Sequence, residues 1–257
     1  MRMRLPEPFM KPIAHRGLHG PPGTGAIENT MAAFRAAREK GFGIECDIRP
    51  ARHGLPVVFH DADLDRLVRG SGPVSALAGA DLASLRFRDA PGERIPTFAD
   101  LLALAGHDVP LLVEVKSEWQ PPDIEFLSEA ARLATEHKGP IALMSFDPAV
   151  MSVLKDLAPG IPRGIVSGNY LATAGDDPWW ETIITRQRAE RLTHLLESAP
   201  VDPSFYAYDV TALPTPVTRY VREVQRLPVL TWTVRNEADM RTARQFADAP
   251  IFEGFLV

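Results

Sequence analysis

The chain has 257 residues, 45% of them hydrophobic, a formal net charge of −5 and a single cysteine, Cys46. That composition supports one large α/β domain or two small ones, excludes an internal disulfide framework, and lacks the basic face that bulk nucleic-acid binding requires. An anionic ligand must then be attracted locally, by a bound cation or by a few placed Arg and Lys.

The opening Met1–Met10 carries positive charge without the apolar stretch of an export signal, and no run is long enough to span a bilayer. The expectation is a soluble cytoplasmic protein with no stable membrane insertion and no nucleic-acid partner. The first β-rich run is Pro12–Arg16, followed by an amphipathic stretch from Asn29 or Thr30 to Lys40, with Gly41 where a helix stop belongs. Gly43–Ile48 is the second strand. Leu55–His60 follows too closely for a parallel crossover and is read as a hairpin-like extension of that strand, turning near His53-Gly54. Residues 61–96, rich in Gly, Pro, Ser and Asp, form a small insertion before strand three, and Thr97–Ala105 is the helix leading into it. Strands are then expected at Leu111–Lys116, Pro140–Phe146, Pro162–Ser167, Phe205–Val210, Val229–Val234 and Ile251–Val257. Helical patterning falls at Ile124–Glu136, Pro148–Leu157, Trp180–Glu197, Pro216–Arg226 and Glu237–Ala247. Eight strands alternating with helices give a (β/α)₈ TIM barrel, here one catalytic domain over residues 1–257.

Charge sits at the ends of these apolar runs. His15-Arg16 ends the first, Glu45 and Asp47 share one face of the second, His60-Asp61 ends the hairpin, and Glu114 and Lys116 share a face of the next strand. A buried strand rarely carries charge without a partner. Glu45, Asp47 and Glu114 would repel one another and raise at least one pKa, a conflict that a hard divalent cation, Mg²⁺ or Ca²⁺, resolves. Arg16 and Lys116 suit phosphate oxygens, the first as a planar fork and the second as a point charge. His15 and His60, from different segments, can flank a phosphorus atom as general acid and base. Cys46 points the other way, into the helix layer.

The matching text is His15-Arg16-Gly17, Glu28-Asn29-Thr30, Ile44-Glu45-Cys46-Asp47-Ile48, Val57-Val58-Phe59-His60-Asp61, Leu64-Asp65-Arg66, Ile95-Pro96-Thr97, Glu114-Val115-Lys116, Ser145-Phe146 and Trp232-Thr233-Val234. In order and spacing it resembles the glycerophosphodiester phosphodiesterases. The resemblance implies a barrel with a segment inserted after the second strand. It also implies metal-dependent hydrolysis of a small-molecule glycerophosphodiester to glycerol 3-phosphate and an alcohol. It makes His15 and His60 the acid–base pair, Glu45, Asp47 and Glu114 the metal ligands, and Arg16 and Lys116 the phosphate binders. Departures are Ile27 for a common Pro, His53 for a common Asp, Arg235 for a common Asn, and Glu253-Gly254 for a common Asp-Gly.

Other readings are blander. Glu28 and Asn29 are expected to start the first helix, with orientation of His15 or Arg16 as a second reading, and Asp61 is either a turn residue or an orienter of an imidazole. Trp232 either walls the substrate site or packs in the core; Trp179 and Trp180 either contact a headgroup or an interface or, the favoured reading, pack at a helix start. His19, His53, His107, His137 and His194 are expected to be solvated. Rival functions are a glycoside hydrolase, a Schiff-base aldolase using Lys116, a phospholipase D-like enzyme acting on intact lipids, and a non-catalytic barrel binding phosphorylated metabolites. Headgroup and oligomeric state stay open.

Overall fold

The computed structural model describes residues 3–20, 25–171 and 180–257. Its strands are β1 Ile13–Ala14, β2 Gly43–Pro50, β3 Pro56–Val58, β4 Leu111–Val115, β5 Ile141–Ser145, β6 Arg163–Ser167, β7 Phe205–Asp209, β8 Val229–Val234 and β9 Ala249–Phe252. All except β3 run parallel, and β1 pairs with both β2 and β9, so eight strands close into a ring. The helices are α1 Met31–Glu39, α2 Gly79–Ser84, α3 Phe98–Ala105, α4 Ile124–Glu136, α5 Pro148–Leu157, α6 Arg186–Thr193, α7 Pro216–Tyr220 and α8 Glu237–Phe246. Each pair of successive ring strands is joined through at least one of them, with α2 and α3 both falling between β2 and β4, which makes the expected (β/α)₈ barrel.

Alternation along each strand divides the core into two layers. Ile13, Leu112, Ala142, Met144, Val166, Phe205, Ala207, Leu230, Ala249 and Ile251 fill the barrel interior, joined by Leu5 and Phe9 from the leading segment. Ile44, Cys46, Ile48, Leu111, Val113 and Val115 face outward onto Phe34, Phe98, Leu101 and Phe126 of the helices. Each large apolar side chain withdrawn from water in this way contributes about 1.5–3 kcal/mol. Cys46 is fully buried in the outer layer, where burial pushes its thiol pKa well up. It is packing, not a nucleophile.

Helix starts follow from side-chain caps. Thr30, Thr97, Asp123, Asp147, Thr185, Thr215 and Asn236 each accept a backbone N–H two or three residues ahead. Thr185 explains why α6 is shorter than Trp180–Glu197: the cap sets the start at Arg186, and Leu195, at φ 57°, leaves the helical conformation. The stretch Pro216–Arg226 is α7 continued by a π-helical turn over Val221–Gln225, ended by left-handed Arg226. The last strand starts earlier than expected and ends at Phe252, so Glu253 stands just beyond its carboxyl end.

β3 pairs antiparallel with β2, Ile48 opposite Val58 and Pro50 opposite Pro56, confirming the hairpin. Gly54, at φ 65°, turns it tightly against α4, where any Cβ would lie 2.8 Å from the Phe126 nitrogen. Within residues 61–96, Leu64, Val68, Val74, Leu82 and Phe87 form a separate apolar cluster with Ile27, Val57 and Phe59. The insertion is thereby anchored beside the barrel mouth. Among the described residues no helix is long and apolar enough to cross a membrane.

Candidate active site

Strand register brings the predicted residues together. Asp47 lies opposite Glu114 in the β2–β4 ladder, and Glu45 is one inward step earlier on β2. Ligand oxygens of Glu45, Asp47 and Glu114 lie within 4.8 Å of one another. His15 and Arg16 follow β1 directly and His60 ends the β2–β3 hairpin. A cavity of about 430 Å³ is lined by His15, Arg16, Glu45, His60, Glu114 and Lys116 on its polar side. Phe146, Trp232, Val166 and Met144 supply an apolar wall. Trp232 lines the cavity and also packs edge-on against Phe146 at 5.2 Å, its indole N–H donating to the Ala207 carbonyl at 3.3 Å.

Each imidazole is held by a carboxylate of its own. His15 Nδ1 donates to Glu253 Oε2 at 2.6 Å, and His60 Nδ1 donates to Asp61 Oδ1 at 2.7 Å. With Nδ1 carrying the proton, Nε2 is left for the cavity in both rings. Burial lowers the His15 pKa below its ordinary value, against the lift from Glu253. Burial alone would raise Glu253 and Asp61, yet their hydrogen bonds to histidine hold both well below the usual carboxylate range.

The carboxylate cluster carries the conflict that its sequence foretold. Burial, then the charges of Asp47 and Glu114, push the Glu45 pKa well above its ordinary value. Burial opposes ionisation of Asp47 too, but Lys116 and Arg16 outweigh it and hold that carboxyl very low. Lys116 Nζ sits 2.9 Å from Asp47 Oδ1 and donates to Glu114 Oε1 at 2.5 Å; despite burial, these partners keep it an ammonium. Arg16 Nε lies 3.2 Å from Asp47 Oδ2, while its Nη1 donates to Glu28 Oε1 at 2.8 Å. Glu45 Oε2 accepts the Arg16 backbone N–H at 2.9 Å, whereas buried Glu45 Oε1 has no hydrogen-bond partner. A buried orphan oxygen within a three-carboxylate cluster is the donor set a hard cation fits.

The match with known sequences settles the relationship. The family model described as the glycerophosphoryl diester phosphodiesterase family matches residues 15–253. The chain belongs to that family. A glycerophosphodiester phosphodiesterase of Caldanaerobacter subterraneus subsp. tengcongensis is 32% identical over 162 residues, covering 60% of this chain and 65% of that protein. Human glycerophosphodiester phosphodiesterase 1 is 36% identical over 126 residues, covering 45% of this chain and 37% of the human protein. The chain thus matches less than two thirds of the length of these relatives. Among solved structures, an Oleispira antarctica phosphodiesterase in complex with the product sn-glycerol-3-phosphate superposes with TM-score 0.68 at 23% identity, covering 94% of this chain and 92% of that one. The Thermotoga maritima glycerophosphodiester phosphodiesterase gives 0.68 at 19% identity, covering 98% and 95%. These two likenesses bear on the fold.

For Glu28 and Asn29 the second reading of the sequence comes nearer than the first, and for His19 the expectation fails. Glu28 and Asn29 do not start α1; Thr30 caps it. Asn29, buried and at φ 56°, donates from Nδ2 to Asp47 Oδ2 at 2.8 Å, and Glu28 pairs with Arg16. A clue was present in the run Glu28-Asn29-Thr30, which offers more caps than one helix needs. His19 is not solvated but lies 3.6 Å from Glu253, whereas His53, His107 and His194 are exposed and His137 is half-buried. Trp179 falls outside the described residues; Trp180 is buried against Tyr170, ahead of α6.

Proposed function

We propose that this protein hydrolyses glycerophosphodiesters to glycerol 3-phosphate and an alcohol. In this reading His15 and His60 are the acid–base pair, and a divalent cation, Mg²⁺ or Ca²⁺, is held by Glu45, Asp47 and Glu114. The observation that carries it is the shared cavity: two carboxylate-clamped imidazoles line the same space as Glu45 and Glu114, whose cluster the buried Asp47 completes from behind the cavity wall. The Oleispira antarctica enzyme of the same fold was captured with sn-glycerol-3-phosphate, the product assigned here.

When bound, the cation would supply Lewis-acid polarisation of a phosphoryl oxygen. Arg16 and Lys116 bind the remaining anionic oxygens, freed from part of their present carboxylate pairing. One imidazole takes the proton of the attacking oxygen at Nε2, either water or the glycerol hydroxyl with water then opening the cyclic phosphate, while the other gives a proton to the leaving alkoxide. The lowered pKa of His15 suits the acceptor. Glu253 and Asp61 fix each ring's tautomer and stabilise its imidazolium form. Trp232 and Phe146 supply an apolar wall of the cavity, a surface for methylene groups rather than charge. A glycoside hydrolase would leave two histidines, an arginine and a lysine at the mouth without a role. A Schiff-base enzyme would need a neutral lysine, which Asp47 and Glu114 prevent.

Release of glycerol 3-phosphate, measured over several headgroups with and without chelator, tests both parts. Release that stops in chelator and returns with Mg²⁺ or Ca²⁺ supports the reading. Undiminished release in chelator would remove the cation from it, and no release from any glycerophosphodiester would remove the activity.

A further inference from the structure

The hydrogen-bond network around the site extends past the groups that the proposed chemistry uses. Arg66 belongs to the insertion and does not line the cavity. It rides on a turn in which the Leu64 carbonyl accepts the Leu67 and Val68 N–H groups, with the Leu64 side chain buried in the insertion's own cluster. Its guanidinium forks twice. Nε and Nη2 donate to Asp61 Oδ2 and Oδ1 at 2.5 and 3.0 Å, while Nη1 and Nη2 donate to Glu28 Oε2 and Oε1 at 2.9 and 2.7 Å. The two carboxylates so gripped each hold a different group of the site, one from the loop after β1 and one from the end of the β2–β3 hairpin. Asp61 carries His60, and Glu28 carries Arg16.

We propose that Arg66 is a positioning residue that couples the orientation of the His60 imidazole to that of the Arg16 guanidinium. The inference rests on the reading of His60 and Arg16 given above. Without a cation between them, Glu28 and Asp61 would present like charges to one another and turn apart, each taking its partner out of line. An ammonium on a lysine stem is one point charge and cannot grip both carboxylates as a planar double fork does. The insertion thereby has a role beyond filling space: it delivers one cation that sets two groups of the barrel mouth in register.

The test is a double-mutant cycle on kcat and KM for glycerophosphocholine hydrolysis, using Glu28→Gln, Asp61→Asn and their combination, first in the wild type and then in Arg66→Ala. Arg66→Ala is expected to remain folded by its melting curve and to lose about tenfold or more in kcat, the scale of a small misplacement of reacting groups. In the wild type the double variant should lose markedly less than the product of the two single losses; in Arg66→Ala the losses should multiply. If Arg66→Ala does not fold, Arg66→Lys serves as the second background, with the same loss of coupling expected. Losses that multiply already in the wild type, coupling that persists without the arginine, or near-wild-type kcat in a folded Arg66→Ala would each overturn the proposal. An inactive wild type would instead be a failure of the hydrolase reading itself.

Discussion

His15 and His60 share a design, an imidazole whose Nδ1 proton goes to a carboxylate at 2.6–2.7 Å and whose Nε2 is left for the cavity. On the proposed acid–base roles, replacing either with alanine would remove one half of the proton traffic, and kcat/KM should fall by about 10²–10⁴-fold with an unchanged far-ultraviolet circular dichroism spectrum. Near-normal rates in either variant would contradict the paired roles. Glu45 allows a second prediction with a definite sign. Its folded pKa lies above the unfolded value of about 4.3, so the folded state binds the extra proton and stability falls as pH rises from the unfolded toward the folded value. In chelator, Glu45→Gln should therefore melt higher than the wild type, by a margin that grows between pH 4 and pH 8. A variant that melts lower at every pH would refute the repulsion. The Glu45, Asp47 and Glu114 set was legible because charge on the inward face of a buried strand demands a counter-charge or a ligand. Asn29 was not, because an asparagine before a helical pattern reads first as a cap, and only the fold shows Thr30 taking that role.

Among elements, the loop from β1 to α1 carries the tightest requirement. Gly17 has φ 78°, and a Cβ there would meet Ala33 and Phe34 of α1 at 2.9 Å. Gly17→Ala should cost about 1–3 kcal/mol from backbone strain alone, measured by urea unfolding, and should lower activity by moving the adjacent His15-Arg16. Wild-type stability would show that the loop has slack the geometry denies. Strand and helix periodicity made most elements readable, including the β2–β3 hairpin, whose short connection forbids a parallel crossover. The last strand was misplaced because Pro250 lacks a backbone donor and reads as preceding a strand, whereas β9 includes it, beside an irregular stretch of the β8–β9 ladder. That shift obscured Glu253. Read as mid-strand it is a substitution in a familiar ending; placed after Phe252 it is at the barrel mouth, on His15.

At the scale of the molecule, a closed barrel collects strand ends from distant parts of the sequence into one mouth, here joining Glu253 to His15 across 238 positions. The protein is acidic overall, and the cations of its site are already engaged: Arg16 with Asp47 and Glu28, Lys116 with Asp47 and Glu114. On the proposed reading, attraction of an anionic diester therefore depends on added positive charge at the carboxylate cluster. The most direct measurement is anomalous diffraction from crystals soaked in Mn²⁺, an oxygen-seeking substitute for Mg²⁺ or Ca²⁺. The account predicts one strong peak bonded to Glu45, Asp47 and Glu114, lost in Glu45→Gln, with both imidazoles facing the same cavity. Full Mn²⁺ occupancy elsewhere with none among these three carboxylates would contradict it.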